Sequence, residues 1–104
     1  MKATVLLHRE LVLCRGKYVV ILKVFEVGKC AKFPRGIKAK FVMLDTYGGF
    51  ARLLVDNHAD EGFHVHTQLP ENHAHRENLN TLDHEVAMSF FMAEVERIIE
   101  NEED

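Results

Sequence analysis

The stretch "IKAKFVMLDTYGGFARLLVDN", residues 37–57, decides the fold of this chain. Apolar residues at positions 37, 39 and 41 alternate with Lys38 and Lys40, which is the period of a strand with one solvated face. The "YGG" at 47–49 supplies a turn, and "FARLLVDN" at 50–57 is typical of a returning strand. The stretch therefore predicts a β-hairpin.

Further strands are predicted before this hairpin. Residues 16–27, "GKYVVILKVFEV", are rich in β-branched and aromatic side chains, and residues 1–13 provide two short extended pieces. Residues 28–36 form a loop, because two glycines, a proline and several basic residues lie there. No helical pattern separates these runs, so we expect a curved antiparallel sheet of about five strands.

One helix is predicted, and it is C-terminal. "LDHEVAMSFFMAEVERIIE", from Leu82, begins after an N-cap at Asn80 or Thr81. Its apolar stripe is expected to pack on the sheet. The stripe consists of Leu82, Val86, Phe90, Ala93 and Ile98, widened by Phe91, Val95 and Ile99. The pattern as a whole predicts a single α+β domain over residues 1–104.

Charge is distributed unevenly along the chain. Residues 1–52 contain eleven Lys or Arg against three Asp or Glu, and residues 53–104 contain two against thirteen, which gives +8 and −11 and the overall −3. A basic surface suits a phosphate backbone, unless folding interleaves the charges. No apolar run approaches the ~20 residues of a membrane helix. No export signal is recognised, so we expect a cytoplasmic protein with reduced cysteines.

Five of the seven histidines lie in residues 55–77, "VDNHADEGFHVHTQLPENHAHRE". An extended "FHVH" would place His64 and His66 on the same face. That arrangement suits a metal site, an acid–base site or a polar edge strand. For a metal, Asp56, His58, His73 or His75 can complete the ligand set. However, no thiolate or His-Glu-x-x-His helix accompanies the pair, so we predict no metal or other cofactor.

Acid–base chemistry fits the pair better. Two histidines on one face can serve as base and acid in metal-free RNA cleavage, with a cation to stabilise the phosphorane. We expect Asp56 to orient an imidazole. The cation is expected among Arg52, Lys38 and Lys40 or the neighbouring lysines. An ordinary polar surface stays open as an alternative.

The pattern of "VDN" (55–57), a short loop, "HVH" (64–66) and a helix ending in "FFMAEVERIIE" resembles the TumE-type toxin family of type II toxin–antitoxin systems. The N-terminal "LLHRELVL" and the basic hairpin are also similar. The residues that match the family motif, and for which the resemblance implies a catalytic role, are Asp56, Asn57, His64 and His66.

This resemblance implies a toxin that acts on RNA and is neutralised by a helix-turn-helix antitoxin. The loop at 59–63 reads Ala-Asp-Glu-Gly-Phe, where the family commonly has a Gly-Lys-Gly-Asp type of loop. A non-catalytic interaction module that binds a helix-turn-helix partner is the main alternative, and metal binding a minor one. Homodimer formation through a sheet edge stays open.

Overall fold

Six antiparallel strands, joined in the order in which they occur in the chain, form one open sheet. The computed structural model describes residues 3–31, 33–57, 62–66 and 77–103, without the side chains of 102 and 103. The strands are β1 (Thr4–Leu13), β2 (Tyr18–Glu26), β3 (Ile37–Asp45), β4 (Phe50–Asn57), β5 (Phe63–His66) and β6 (Glu77–Asn78), followed by helix α1 (His84–Glu103).

The α+β architecture with a C-terminal helix is confirmed. Within the described residues the sheet has six strands, where about five were expected. The two extended pieces predicted near the N-terminus are one strand, β1, with an irregularity in its pairing between Val5 and Leu7. The additional strand is β6, whose two residues are too few to produce an alternating pattern in the sequence.

Strands β2 to β5 each contribute one side of their alternation to the core. The sheet surface that faces α1, here called the core face, carries the buried apolar residues of β2 to β5, and Ala87, Phe91 and Val95 of the helix pack against them. On the sheet these residues are Tyr18, Val20, Leu22, Val24, Ala39, Phe41, Met43, Leu53, Val55, Phe63 and Val65. The opposite surface of the sheet is called the outer face.

Phe41 is at the centre of this core. Its ring lies 6.3 Å from the ring of Phe63, with the two planes nearly parallel, and 5.8 Å from the ring of Phe91 in a tilted arrangement. Each such aromatic pair adds about 0.5–1.5 kcal/mol beyond the burial of area. Phe41 therefore connects the hairpin of β3 and β4 to both β5 and the helix.

The helix uses a different apolar stripe from the one predicted. Ala87, Phe91 and Val95 are buried, whereas Val86 is 54% exposed, and Leu82 and Phe90 are exposed as well. Both stripes repeat at helical spacing and both are apolar, so hydropathy alone does not select between them. Of the predicted stripe, the exposed residues Leu82, Val86, Phe90 and Ala93 are wrong. Phe91 and Val95 lie in the core, and Ile98 and Ile99 pack against it.

The N-cap of α1 is Asp83, not Asn80 or Thr81. The Asp83 carbonyl accepts the first helical hydrogen bond from Ala87 N–H (3.1 Å), and its Oδ1 accepts Glu85 N–H (2.8 Å). Thr81 lies two residues before Asp83, and its hydroxyl oxygen accepts the N–H of Asp83 (3.0 Å). Asn80 has a left-handed φ of 57°, which belongs to the turn before the cap.

Replacing Asp83 by alanine should lower the free energy of unfolding by about 1 kcal/mol, because the N–H of Glu85 loses its acceptor. Asp83→Asn keeps a side-chain oxygen at the same place and should retain most of the stability. Urea unfolding followed by circular dichroism measures both. If the asparagine variant is as unstable as the alanine variant, the side-chain cap is not what stabilises the helix start.

Gly62 allows the chain to enter β5 close to the segment that precedes the helix. Its φ is +85°, and a methyl group added there would lie 2.5 Å from the carbonyl oxygen of Thr81. The same oxygen accepts the N–H of Phe63 (3.1 Å), and the carbonyl of Phe63 accepts the N–H of Leu79 (2.9 Å). Gly62 therefore fixes the position from which His64 and His66 follow.

Gly62→Ala should destabilise the protein more than Gly49→Ala does. Both glycines have positive φ, so each substitution strains the backbone by about 1–3 kcal/mol. Only Gly62 also meets a carbonyl oxygen, since nothing lies within 4 Å of the methyl position at Gly49. Chemical denaturation of the two variants compares the costs directly. If both variants lose the same free energy of unfolding, the contact with Thr81 relaxes without an energetic cost.

The described residues contain neither a disulfide nor a helix with the length and apolar character to span a membrane. Cys14 and Cys30 are both exposed and unlinked.

Many charges of the two halves of the chain lie on different sides of the sheet, although Asp56 is directly opposite Lys40. Three lysines of β2 and β3 (Lys23, Lys38 and Lys40) belong to the outer face by their register. The helix, which packs on the other side of the sheet, carries Glu85, Glu94, Glu96 and Glu100. The sheet therefore separates a basic surface from an acidic one.

Candidate acid–base site on the outer face of the sheet

Register brings polar residues from all six strands into one line across the outer face. Directly opposite one another on neighbouring strands are Lys23 and Lys40, Lys40 and Asp56, and Asp56 and His64. The complete line, here called the polar row, consists of His8, Lys23, Lys40, Asp56, His64 and Asn78. Residues separated by 8 to 17 positions in sequence thus lie about one strand spacing, roughly 5 Å, apart.

His64 and His66 lie on the same face of β5, as the "FHVH" pattern predicts. Phe63 and Val65, which alternate with the two histidines, belong to the core face, and strand alternation sends the two imidazoles to the other side. Both histidines are buried, with 3% of His64 and 8% of His66 exposed. Their imidazoles are therefore held in an environment with little water.

Asp56 is a carboxylate close to this pair. It lies opposite His64 in the ladder, and its Oδ1 is 3.7 Å from Nε2 of His66. That distance is too long for a hydrogen bond but allows a charge interaction with a protonated imidazole. About one third of the Asp56 side chain is exposed, so the carboxylate borders both the histidines and solvent.

The predicted cations Lys38 and Lys40 lie on the outer face next to Asp56. Both are exposed, and Lys40 is directly opposite Asp56 in the ladder. Among the residues that the structure describes, no carboxylate is within ion-pair distance of either lysine. Their charge is therefore available to an anion that reaches this part of the sheet.

Arg52, the other predicted cation, lies away from the polar row. It occupies an irregularity of the β3–β4 ladder, and its guanidinium is 4.0 Å from Oδ2 of Asp45. Asp45 in turn accepts the backbone N–H groups of Tyr47 and Gly48 at the hairpin turn, both at 2.9 Å. Arg52 therefore lies beside Asp45 at the turn end of the hairpin.

Asn57, which matches the family motif, is engaged by the backbone of β3. Its Nδ2 donates to the carbonyl of Ile37 (2.7 Å), and its Oδ1 accepts the N–H of Ala39 (2.9 Å). The amide thus repeats the pattern of a backbone pair and continues the β3–β4 ladder by one position. The catalytic role predicted for Asn57 stays a prediction, and the observed role is structural.

Asn57→Ala should lower the free energy of unfolding by about 2 kcal/mol, because two part-buried backbone groups lose their partners. Asn57→Asp keeps the acceptor but places an anion beside the carbonyl of Ile37, so it should be at least as unstable. Asn101→Ala, at an exposed helix position, is the matched control and should change stability by less than about 0.5 kcal/mol. A variant Asn57→Ala that is stable but has lost catalytic activity would instead indicate that Asn57 takes part in catalysis.

A metal site finds no support among the described residues, which contain no group of three or more His, Cys, Asp or Glu side chains suited to an ion. His58, His73 and His75, named as further ligands, lie outside the described residues. So do Asp60 and Glu61 of the loop that departs from the family pattern.

Lys23 is a member of the row that sequence reasoning missed. It interrupts the apolar run "YVVILKVFE" in β2, with Leu22 and Val24 on either side of it in the core. The signal was present, because an apolar strand with a single lysine must direct that lysine to the other face. Finding its neighbours required the register of β2 against β3.

Comparison with known proteins adds no relative. No protein-family model matches this chain, no curated protein matches it, and no solved structure matches it.

Proposed function

We propose that this protein is the toxin of a type II toxin–antitoxin pair and that it cleaves RNA without a metal, by proton transfer at His64 and His66. The observation that carries the proposal is the register of the outer face, which lines up His64 with Asp56 and Lys40 and places His66 two residues from His64 on the same face. These residue types supply a base, an acid, an orienting carboxylate and a cation, which is the set that such a cleavage needs.

The proposed reaction is an internal transfer at phosphorus. One imidazole takes the proton of a ribose 2′-hydroxyl, and the 2′-oxygen forms a bond to the adjacent phosphorus. The bond from phosphorus to the 5′-oxygen breaks, and the other imidazole donates a proton to that leaving oxygen. The products are a 2′,3′-cyclic phosphate and a 5′-hydroxyl, so no further reactant is consumed.

Asp56 favours His66 as the residue that takes the first proton. A carboxylate 3.7 Å from the ring stabilises the imidazolium that forms during the step. His64, directly opposite Asp56 and closer to Lys40 in the row, is then the proton donor. Lys40, with Lys38 beside it, offsets the negative charge that develops on the phosphorane oxygens.

The biological assignment is supported by the resemblance to the TumE-type family. Asp56, Asn57, His64 and His66 match the family motif, and three of these four are on the outer face together. The assignment implies a cognate helix-turn-helix antitoxin as the partner and the cytoplasm as the place of action.

Expression of His64→Gln or His66→Gln should no longer arrest growth, whereas the unaltered chain should. Glutamine retains hydrogen-bonding groups but does not transfer protons near neutral pH. His8→Gln is the matched control, because His8 is in the same row but exposed on the far edge strand, and it should stay toxic. Thermal melts of the purified variants establish that each one folds.

The same proteins, incubated with RNA in the presence of EDTA, should give fragments that end in 2′,3′-cyclic phosphate only when both histidines are present. A folded His64→Gln, His66→Gln double variant that remains equally toxic contradicts the acid–base role. Cleavage that disappears on addition of EDTA contradicts the metal-free mechanism.

Burial of the two histidines favours a second candidate, a non-catalytic module that binds a helix-turn-helix partner. With 3% and 8% exposure, His64 and His66 are packed as structural residues often are. This candidate predicts no RNA cleavage between about pH 5 and pH 8, where histidine titrates. It also predicts a complex that weakens as salt is added, because charged surfaces would hold it together.

A further inference from the structure

Three lysines meet on the outer face beside the proposed catalytic residues. Lys23 and Lys40 are directly opposite each other on β2 and β3, and Lys38 is two residues from Lys40 on the same side of β3. Adjacent members are therefore about 5–7 Å apart at the backbone. Lys38 and Lys40 are exposed and Lys23 is half-buried. We call this group the lysine triangle.

The lysine triangle has no counter-ion among the described residues. The nearest acid in the row, Asp56, is 3.7 Å from His66 and is not within ion-pair distance of Lys40. Like charges directly opposite on neighbouring strands destabilise a sheet. A bound anion would remove this cost, since one phosphate group can accept hydrogen bonds from several ammonium groups.

An aromatic ring is next to the triangle on the same face. Phe25 is directly opposite Lys38 in the β2–β3 ladder and two residues from Lys23, which places its side chain on the outer face. The ring is half-buried, so part of it is accessible from solvent. A ring beside cations is the combination by which proteins hold single-stranded nucleic acids, through stacked bases and contacted phosphates.

We propose that the lysine triangle and Phe25 form a binding site for single-stranded RNA next to the cleavage site. The RNA crosses the strands along the polar row, with phosphates at the lysines and a base against Phe25. Lys40 and His64 are separated by two strand spacings, roughly 10 Å. The bound phosphates therefore lie about one or two nucleotides from the bond that is cut. This inference rests on the proposed function.

The chemistry of the site selects a single strand over a duplex. In a duplex the bases pair with each other inside the helix, so none is available to the ring of Phe25. Attack by a 2′-oxygen also requires that oxygen to be in line with the leaving 5′-oxygen, a geometry that regular A-form stacking prevents. A flexible strand lying on a sheet surface satisfies both requirements.

The test measures binding separately from cleavage. The probe is a fluorescein-labelled oligoribonucleotide of about twelve nucleotides, 2′-O-methylated throughout so that it cannot be cut. Fluorescence anisotropy with the full chain gives the dissociation constant over a range of salt concentrations. The Lys23→Gln, Lys38→Gln, Lys40→Gln variant should bind at least about tenfold more weakly, and its log–log salt slope should be shallower by about 2. Phe25→Leu should weaken binding about tenfold.

A control variant removes the same charge elsewhere. Arg9→Gln, Arg15→Gln, Arg97→Gln deletes three cations on the core-face side of β1, in the β1–β2 turn and on the helix. It should bind within about threefold of the unaltered chain, because these cations do not contact the RNA. If it loses as much affinity as the lysine variant, net charge explains the binding and the proposed site is wrong.

Three other outcomes overturn the site. Equal affinity for the single strand and for its duplex, or displacement of the probe by polyglutamate as effectively as by unlabelled RNA, would indicate a general anion surface. Absence of probe binding would also reject the site. Failure of this site and failure of the proposed function are distinguishable. Cleavage of unmodified RNA at the normal rate by the Lys23→Gln, Phe25→Leu variant, which changes no residue of the proposed cleavage step, leaves the function intact and rejects the site. Tight, lysine-dependent binding without cleavage rejects the nuclease and retains the site.

Discussion

The pairing register of β3, β4 and β5 is the constraint on which the rest of this structure depends. Strand side chains alternate between two faces, so a slip of one residue would move His64 and His66 into the core and expose Phe63 and Val65. Burial of two aromatic or aliphatic side chains opposes that slip with several kcal/mol. The same alternation that builds the core therefore positions the imidazoles on the opposite face.

Polar and glycine residues at the strand ends fix this register. At the β3–β4 turn, the Asp45 carboxylate accepts two backbone N–H groups, and at the other end of the hairpin Asn57 bonds to the backbone of β3. Gly62 then allows Phe63 to bond to Thr81 and so starts β5 at one position only. Residues that resemble site residues in the sequence thus include some whose contacts are structural, Asn57 above all.

Local pattern predicted the hairpin at 37–57, the strand character of "FHVH" and the helix, because each depends on neighbours within a few positions. It did not predict which helix face is buried. The stripes of Phe91 and Phe90 are equally apolar, and the shape of the sheet selects between them. It also missed Lys23 as a neighbour of Lys40, since their proximity depends on a pairing across seventeen positions. Contacts that depend on the long-range register of the strands could therefore not be predicted from the sequence.

The fold places many of the charges that are separated along the chain on two different sides of the sheet. The basic half of the sequence supplies the lysines of the outer face, while the acidic half supplies the helix on the other side of the sheet. A polyanion that approaches the helix side meets Glu85, Glu94 and Glu96 and is repelled, whereas one that approaches the outer face is attracted. These charges therefore favour the approach of a polyanion to the face that contains His64 and His66.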